Sequence, residues 1–147
     1  MADFVFNISK GEVKNYCKLS AANDAIVVVP AESSGLEADA TLKDYDDLST
    51  LMAGTTNEQT TMGRKTATST TITVDDTNDR VDIDIVDFTW TAATGNAVGA
   101  LLFCWDGDTT SGTDANIVPL TKHDFAVTPD GSDITAQIAS AGFFRAS

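Results

Sequence analysis

The fold is decided by residues 81–90, which read VDIDIVDFTW. Up to Ile85, branched apolar residues alternate with aspartates, which is the pattern of a half-buried β-strand. From that point the apolar positions change phase, so that Val86, Phe88 and Trp90 form the next apolar set. A shift of one residue exchanges the two faces of a strand, so the segment predicts one strand interrupted by a β-bulge.

Further strands are predicted on both sides of this segment. Residues 25–30 (AIVVVP) and 100–105 (ALLFCW) are continuous apolar runs, as in strands that are buried on both faces. Residues 4–8 alternate in polarity, and residues 116–129 predict two short strands, with Pro119 at an edge or a bend. About seven to nine short strands separated by turns are typical of an antiparallel β-sandwich, here jelly-roll-like.

Residues 35–54 are the one segment with a helical pattern. Apolar residues recur there at helical spacing, Asp44 can cap the start, and Gly54 stands where a C-terminal cap is expected. The next stretch, residues 55–71, is polar and predicts a long, extended surface loop. The expected fold is therefore mainly β, with one short α-helix and a long polar loop.

Length and charge limit the classes of function. A chain of 147 residues with 42% hydrophobic residues fits a single domain over residues 1–147, with an N-terminal arm at residues 1–10. The formal net charge is −13, with 22 acidic and 9 basic residues. Such a field repels phosphate backbones and anionic lipids, so the sequence argues against nucleic-acid and membrane partners.

The two cysteines indicate a reducing compartment. Cys17 and Cys104 lie far apart and have no metal-binding spacing, so we interpret them as buried free thiols, with a disulfide between them as the alternative. The sequence has no signal-peptide pattern and no apolar run long enough to span a membrane. We expect synthesis in a cytoplasm.

No motif in the sequence indicates an enzyme. Asp106, Asp108 and Asp114 lie in a segment that lacks calcium-loop spacing, so they are interpreted as turn residues, with a weak ion site as the alternative. The single histidine, His123, precedes Asp124, but neighbouring strand residues point to opposite faces and cannot form a dyad. Residues 122–124 are therefore interpreted as a solvated strand end. We expect no catalytic residue, no metal and no cofactor.

Residues that contact a partner are expected at the chain ends and in the polar loop. The C-terminal segment AGFFRAS carries adjacent phenylalanines, of which one is free for a partner unless both fill the core. The loop 55–71 holds the one pair of adjacent basic residues in an acidic chain. The predicted partner-binding residues are Phe4, Phe6, Arg64, Lys65, Phe143, Phe144 and Arg145.

Three segments resemble a known family. Residues 34–66 (SGLEADATLKDYDDLSTLMAGTTNEQTTMGRKT), 87–106 (DFTWTAATGNAVGALLFCWD) and 118–138 (VPLTKHDFAVTPDGSDITAQI) are similar to small structural proteins of tailed bacteriophages, especially phages of actinobacteria. Members of this family resemble capsid decoration, or minor capsid, proteins.

The resemblance implies a structural role in a virion. The expected function is to decorate and stabilise a phage capsid on its exterior, by binding the major capsid protein as a homotrimer. The alternative is a neck or tail-tube component, and a further alternative is a glycan-binding module on the virion surface. Exposed aromatic residues around a groove would favour the glycan module.

Overall fold

The computed structural model describes residues 2–147. Within them the chain forms ten strands and three short α-helices, so the prediction of a mainly β fold is confirmed. The strands are β1 (Phe4–Val5), β2 (Ala25–Glu32), β3 (Lys65–Ala67), β4 (Thr71–Asp75), β5 (Arg80–Asp84), β6 (Phe88–Trp90), β7 (Val98–Asp106), β8 (Ile117–Val127), β9 (Ile134–Ala136) and β10 (Phe144–Ala146). The helices are α1 (Val13–Tyr16), α2 (Asp39–Leu42) and α3 (Leu48–Met52).

Five strands form the central sheet, in the order β1-β8-β7-β2-β3, with antiparallel pairing throughout. β2 and β7 lie inside this sheet, and nearly all of their residues are buried, as their apolar runs predict. Because successive side chains alternate between faces, Val28 and Phe103 join one core cluster while Val29 and Leu102 join another. The central sheet is therefore the middle layer of the molecule.

Two smaller antiparallel sheets cover the first of these clusters. One has the order β10-β5-β4, and the other pairs β6 with β9. Ile83 of the first, and Phe88 and Trp90 of the second, are buried in the same cluster as the central sheet. This packing of sheets confirms a sandwich-like fold.

Short helices cover the second cluster. Leu42 of α2, and Leu48 and Leu51 of α3, are fully buried against the central sheet. The predicted helix over residues 35–54 is thus divided into two. The predicted cap Asp44 is wrong, because it lies between the two helices, and the N-cap of the longer one is Asp47. The Asp47 carboxylate accepts a hydrogen bond of 2.7 Å from a main-chain N–H in the first turn.

The phase change after Ile85 marks a break between sheets, so the predicted bulge is wrong. β5 ends at Asp84 and β6 begins at Phe88, and the two strands belong to different sheets. The Asp84 carboxylate accepts the N–H of Ile85 at 2.9 Å, and Val86 is 61% exposed at the turn. Of the predicted apolar set, Phe88 and Trp90 are buried, with 5% and 2% exposure, but the expectation that Val86 is buried with them is wrong.

Residues 55–71 are not a solvated loop along their whole length. β3 occupies part of the segment and pairs with β2. Gln59 is 1% exposed, and its amide nitrogen donates to the carbonyl groups of Thr94 (3.3 Å) and Asn96 (2.9 Å). Its amide oxygen accepts two main-chain N–H groups of the next turn. A buried amide with all its partners fixes the path of this segment.

The N-terminal segment is docked on the domain and does not form a free arm. Phe4 and Val5 pair with β8, and Phe6 is completely buried. Residues 2–10 therefore belong to the fold, whereas Met1 lies outside the described residues.

β8 is one strand of 11 residues, where the sequence predicts two short strands. The register with β7 shifts between Phe103 and Cys104, which leaves Leu120 as the extra residue of a bulge. Pro119 is buried beside this bulge, and its carbonyl accepts a hydrogen bond from the Ser9 hydroxyl. The irregularity lets a proline occupy an interior strand.

The cysteines are buried and free, and burial raises the pKa of each thiol to about 12. Within residues 2–147 no cluster of three or more potential metal ligands is present. Asp108 accepts the N–H of Thr110 in a turn, as expected for such residues. In the same part of the chain, no helix is long and apolar enough to span a bilayer.

Candidate interaction surface at the chain ends

The two ends of the chain meet on one surface. β1 lies on the edge of the central sheet, β10 pairs with β5, and the two strands border a shallow groove of about 170 Å³. Four of the predicted partner-binding residues line this groove together with an acid and the histidine. The lining residues include Asp3, Phe4, His123, Phe143, Phe144 and Arg145.

The N-terminal phenylalanines have different surroundings. Phe6 is fully buried on the helix side of the central sheet, so it cannot contact a partner while the fold is intact. Phe4 is half-buried, with its ring centroid 5.2 Å from that of Phe6. The ammonium group of Lys122 lies 5.7 Å from the Phe4 ring centroid. Of the two, Phe4 alone reaches the surface.

The C-terminal residues also divide between core and surface. Phe143 is buried and stacks on Phe103, with 4.9 Å between ring centroids and 14° between ring planes. Phe144 is half-buried opposite Ile83 of β5. Arg145 donates to Asp82 at 2.6 Å and 3.2 Å, and this hydrogen bonding holds the pKa of the carboxyl below its usual range. The segment is tied down and keeps Phe144 and Arg145 accessible.

A hydroxyl, an imidazole and a carboxylate form a chain of contacts on this surface. His123 Nδ1 lies 3.2 Å from Asp3 Oδ2, and His123 Nε2 lies 3.0 Å from the Thr121 hydroxyl. The order of groups matches that of a serine-type triad, but a nucleophile must be reached by its substrate. Thr121 is 2% exposed, so this chain of contacts links β1 to β8 rather than presenting a nucleophile.

The prediction of a solvated strand end around His123 is wrong. Lys122 is completely buried, and its ammonium donates to the Ala2 carbonyl and to the carboxylates of Asp39 and Asp124. Asp39 also accepts the N–H of Ala2 at 2.8 Å. One buried cation therefore joins the N-terminal residues, α2 and β8.

A second, larger crevice adjoins the first groove. It has a volume of about 320 Å³ and shares Asp3, His123 and Phe143 with the first groove. It opens between one face of the central sheet and the segment after β9. Its other lining residues are Leu101, Phe103, Asp124, Phe125, Ala136, Gln137, Ile138, Ala139 and Gly142.

Arg64 and Lys65 lie elsewhere, at the β3 edge of the central sheet, opposite the β1 edge. Arg64 donates two hydrogen bonds to Asp114 and two to Glu58, at 2.7–2.8 Å, and these contacts raise the pKa of its guanidinium. The Lys65 ammonium lies 5.7 Å from the Trp90 ring centroid. The guanidinium thus already has partners within the chain.

Sequence reasoning missed most of the polar members of the chain-end surface. Asp3 and His123 are 120 positions apart, and nothing in either local sequence marks them as neighbours. The one available signal was the two-residue spacing of Thr121 and His123, which places both side chains on the same face of a strand.

Comparison of the chain with protein-family models, with curated proteins and with solved structures finds no match.

Proposed function

We propose that the chain is a structural virion protein that decorates and stabilises a tailed-phage capsid by binding the major capsid protein. The chain-end surface, defined here as the residues lining the two adjoining grooves, is the proposed contact region. Support comes from the three segments that resemble phage structural proteins and from the character of this surface. On it, an apolar crevice, an exposed arginine and two carboxylates lie at a strand edge.

The observation that carries the proposal is the position of both chain ends on one accessible, partly apolar surface. Phe4 and Phe144 are half-buried there, with apolar area left for a partner. Interfaces typically combine an apolar centre with a polar rim, and Asp3 and Arg145 supply such a rim. A net charge of −13 favours a partner whose facing surface is basic.

A neck or tail-tube position in the same virion uses the same kind of contact and stays the alternative. The glycan-binding module is less favoured, because neither chain-end groove is lined by tyrosine or tryptophan. Phe143, the ring shared by both grooves, is buried against Phe103 and cannot stack on a sugar.

We further propose that three copies assemble on the shell. Self-repulsion between copies of charge −13 opposes trimer formation in free solution at low salt. Light scattering of the free protein should therefore give the monomer mass, while density on the particle should show three copies in contact. A lone copy on the shell, touching no other copy, would exclude the trimer.

The test is binding to empty shells assembled from the major capsid protein of the same phage. Asp3→Arg should reduce co-sedimentation with the shells by about tenfold, because it reverses a charge that is 60% exposed at the surface. Asp76→Arg is the matched control, since it makes the same charge change at the exposed turn between β4 and β5. Equal binding of the two variants would place the contact elsewhere. Cryo-electron microscopy of decorated particles separates head from neck and tail positions.

A further inference from the structure

The larger crevice has mainly apolar walls. The apolar lining residues come from β7, β8 and the segment between β9 and β10, and include Leu101, Phe103, Phe125, Ile138 and Phe143. The volume of the crevice is about 320 Å³, whereas an apolar cavity of about 150 Å³ in another protein is enough to bind benzene. A molecule of about eight to ten non-hydrogen atoms, the size of a substituted ring, therefore fits within it.

Hydrogen bonds fix the irregular wall of the crevice, which follows β9. The N–H of Ile138 donates to the Asp87 carboxylate at 2.7 Å. The N–H of Phe143 donates to the Ile83 carbonyl at 3.0 Å. Gly142 has a φ of +80°, and a Cβ at this position would clash with the same carbonyl oxygen, so the tight turn requires glycine. Because the wall is already in place, little conformational freedom is lost when a ligand binds.

The charged groups at the mouth of the crevice already have partners within the chain. Asp3 accepts the N–H of Asp124 at 2.7 Å and lies 3.2 Å from His123. The Asp124 carboxylate contacts the buried ammonium of Lys122. Arg145, which lines the adjoining groove, is 40% exposed and brings a positive charge to the same surface. A charged ligand group would lose hydration between apolar walls without meeting a free counter-charge, so an uncharged ligand is favoured.

Gln137 supplies an uncharged polar group at the crevice. It lines the crevice and is exposed, in sequence beside the apolar Ile138. Its side-chain amide can both donate and accept a hydrogen bond, which suits a hydroxyl or amide group. Ligand sites typically combine apolar walls with a few polar groups that fix the orientation of the ligand. The crevice has both parts of this combination.

We propose that the crevice binds a small, uncharged and mainly apolar molecule, of about eight to ten non-hydrogen atoms, that carries one hydroxyl or amide group. The apolar part lies against Phe125 and Ile138, and the polar group meets the Gln137 amide. The site does not depend on the proposed function, because the ligand contacts residues of this chain alone.

Three compounds of matched size test the charge of the ligand: benzyl alcohol, benzylammonium and benzoate. Each is titrated into the ¹⁵N-labelled full chain at neutral pH and about 150 mM salt, which screens the long-range field of the protein. Benzyl alcohol should bind in the millimolar range, as expected of a ligand this small, and at least about threefold more tightly than either ion. Its amide shifts should concentrate at residues 123–125 and 136–143. Equal or tighter binding of an ion at these residues, or shifts spread over the whole surface, would overturn the proposal.

Ala139→Phe tests the position of the ligand, because it fills the crevice from an exposed lining residue. It should weaken binding of benzyl alcohol by at least about tenfold. Ala22→Phe is the matched control, since Ala22 is also exposed but does not line the crevice, and it should bind as the parent chain does. Equal binding by the two variants, with their folds verified by amide shifts, would contradict binding in the crevice.

Gln137→Leu tests the polar contact without filling the crevice. Benzyl alcohol and toluene differ by one hydroxyl group, so the variant should reduce the preference for benzyl alcohol over toluene by about threefold. An unchanged preference would contradict the contact with Gln137. If the free chain instead shows concentration-dependent broadening at residues 123–125 and 136–143, a second copy occupies the crevice and the proposal fails.

Discussion

The Arg64 guanidinium gives the sharpest test of how the polar segment is held. Arg64 joins Glu58, at the start of that segment, to Asp114, which follows β7. Its side chain is 28% exposed, and the two carboxylates are 17% and 35% exposed. Breaking a fully buried ion pair costs about 3–5 kcal/mol, while exposed pairs contribute about 0–1 kcal/mol. Because the three groups are only partly buried, Arg64→Met should lower the free energy of unfolding by about 2–3 kcal/mol, which lies between these limits.

Lys65→Met is the matched control, because it removes the same charge one residue away. Among the described residues, no carboxylate lies within ion-pair distance of Lys65, and its contact with the Trp90 ring is worth about 0.5–1 kcal/mol. Urea unfolding at neutral pH measures both variants. A double-mutant cycle of Arg64→Met with Asp114→Asn should give a coupling of about 1–2 kcal/mol.

The pH dependence supplies an independent check. Hydrogen bonding from Arg64 lowers the pKa of Asp114, so the folded state releases this proton more readily than the unfolded state does. The stabilisation is complete above the unfolded pKa, about 4, and is lost as the pH falls through the lowered folded value. The difference in free energy of unfolding between the parent chain and Arg64→Met should therefore shrink below about pH 4. Equal destabilisation by Arg64→Met and Lys65→Met, or a difference independent of pH, would refute this account.

Other outcomes follow from the buried groups. Trp90→Ala should cost about 3–5 kcal/mol in chemical unfolding, because the ring is 2% exposed and its N–H donates to Gly63 at 2.9 Å; a loss under about 1 kcal/mol would contradict its place in the core. Lys122→Met should speed amide exchange in the N-terminal residues more than in β7, since the ammonium holds the Ala2 carbonyl; uniform exchange would contradict that role. Cys17 and Cys104 should resist a thiol reagent at pH 8 until the chain unfolds, because burial raises each pKa to about 12; rapid labelling of native protein would count against burial.

Strand positions in the middle of the chain could be predicted from local sequence. The apolar runs in β2 and β7 require burial on both faces, and only an interior strand satisfies that requirement. The phase change at Val86 was visible but ambiguous, because a bulge and a passage between sheets shift the alternation in the same way. The choice depends on which strands pair, which is a tertiary property.

The helix cap and the chain-end surface could not be predicted from local sequence, because both depend on contacts between residues far apart in the chain. Asp44 and Asp47 both suit an N-cap, but α3 begins at Leu48 and Asp47 caps it, while the Asp44 carboxylate accepts a hydrogen bond from the Asn7 amide of the N-terminal segment. Arg64 looked available for a partner because Asp114 is 50 residues away in sequence. In each case, a group from a distant part of the chain decides the role of the residue.

The position of each chain end decides where added sequence would go. Phe4 borders the groove at the β1 edge, whereas Ser147 lies with Asp76 and Asp79 beside the turn between β4 and β5. A fusion before Ala2 would therefore compete with a docking partner for the chain-end surface. A fusion after Ser147 would emerge at the β4–β5 turn and leave that surface clear.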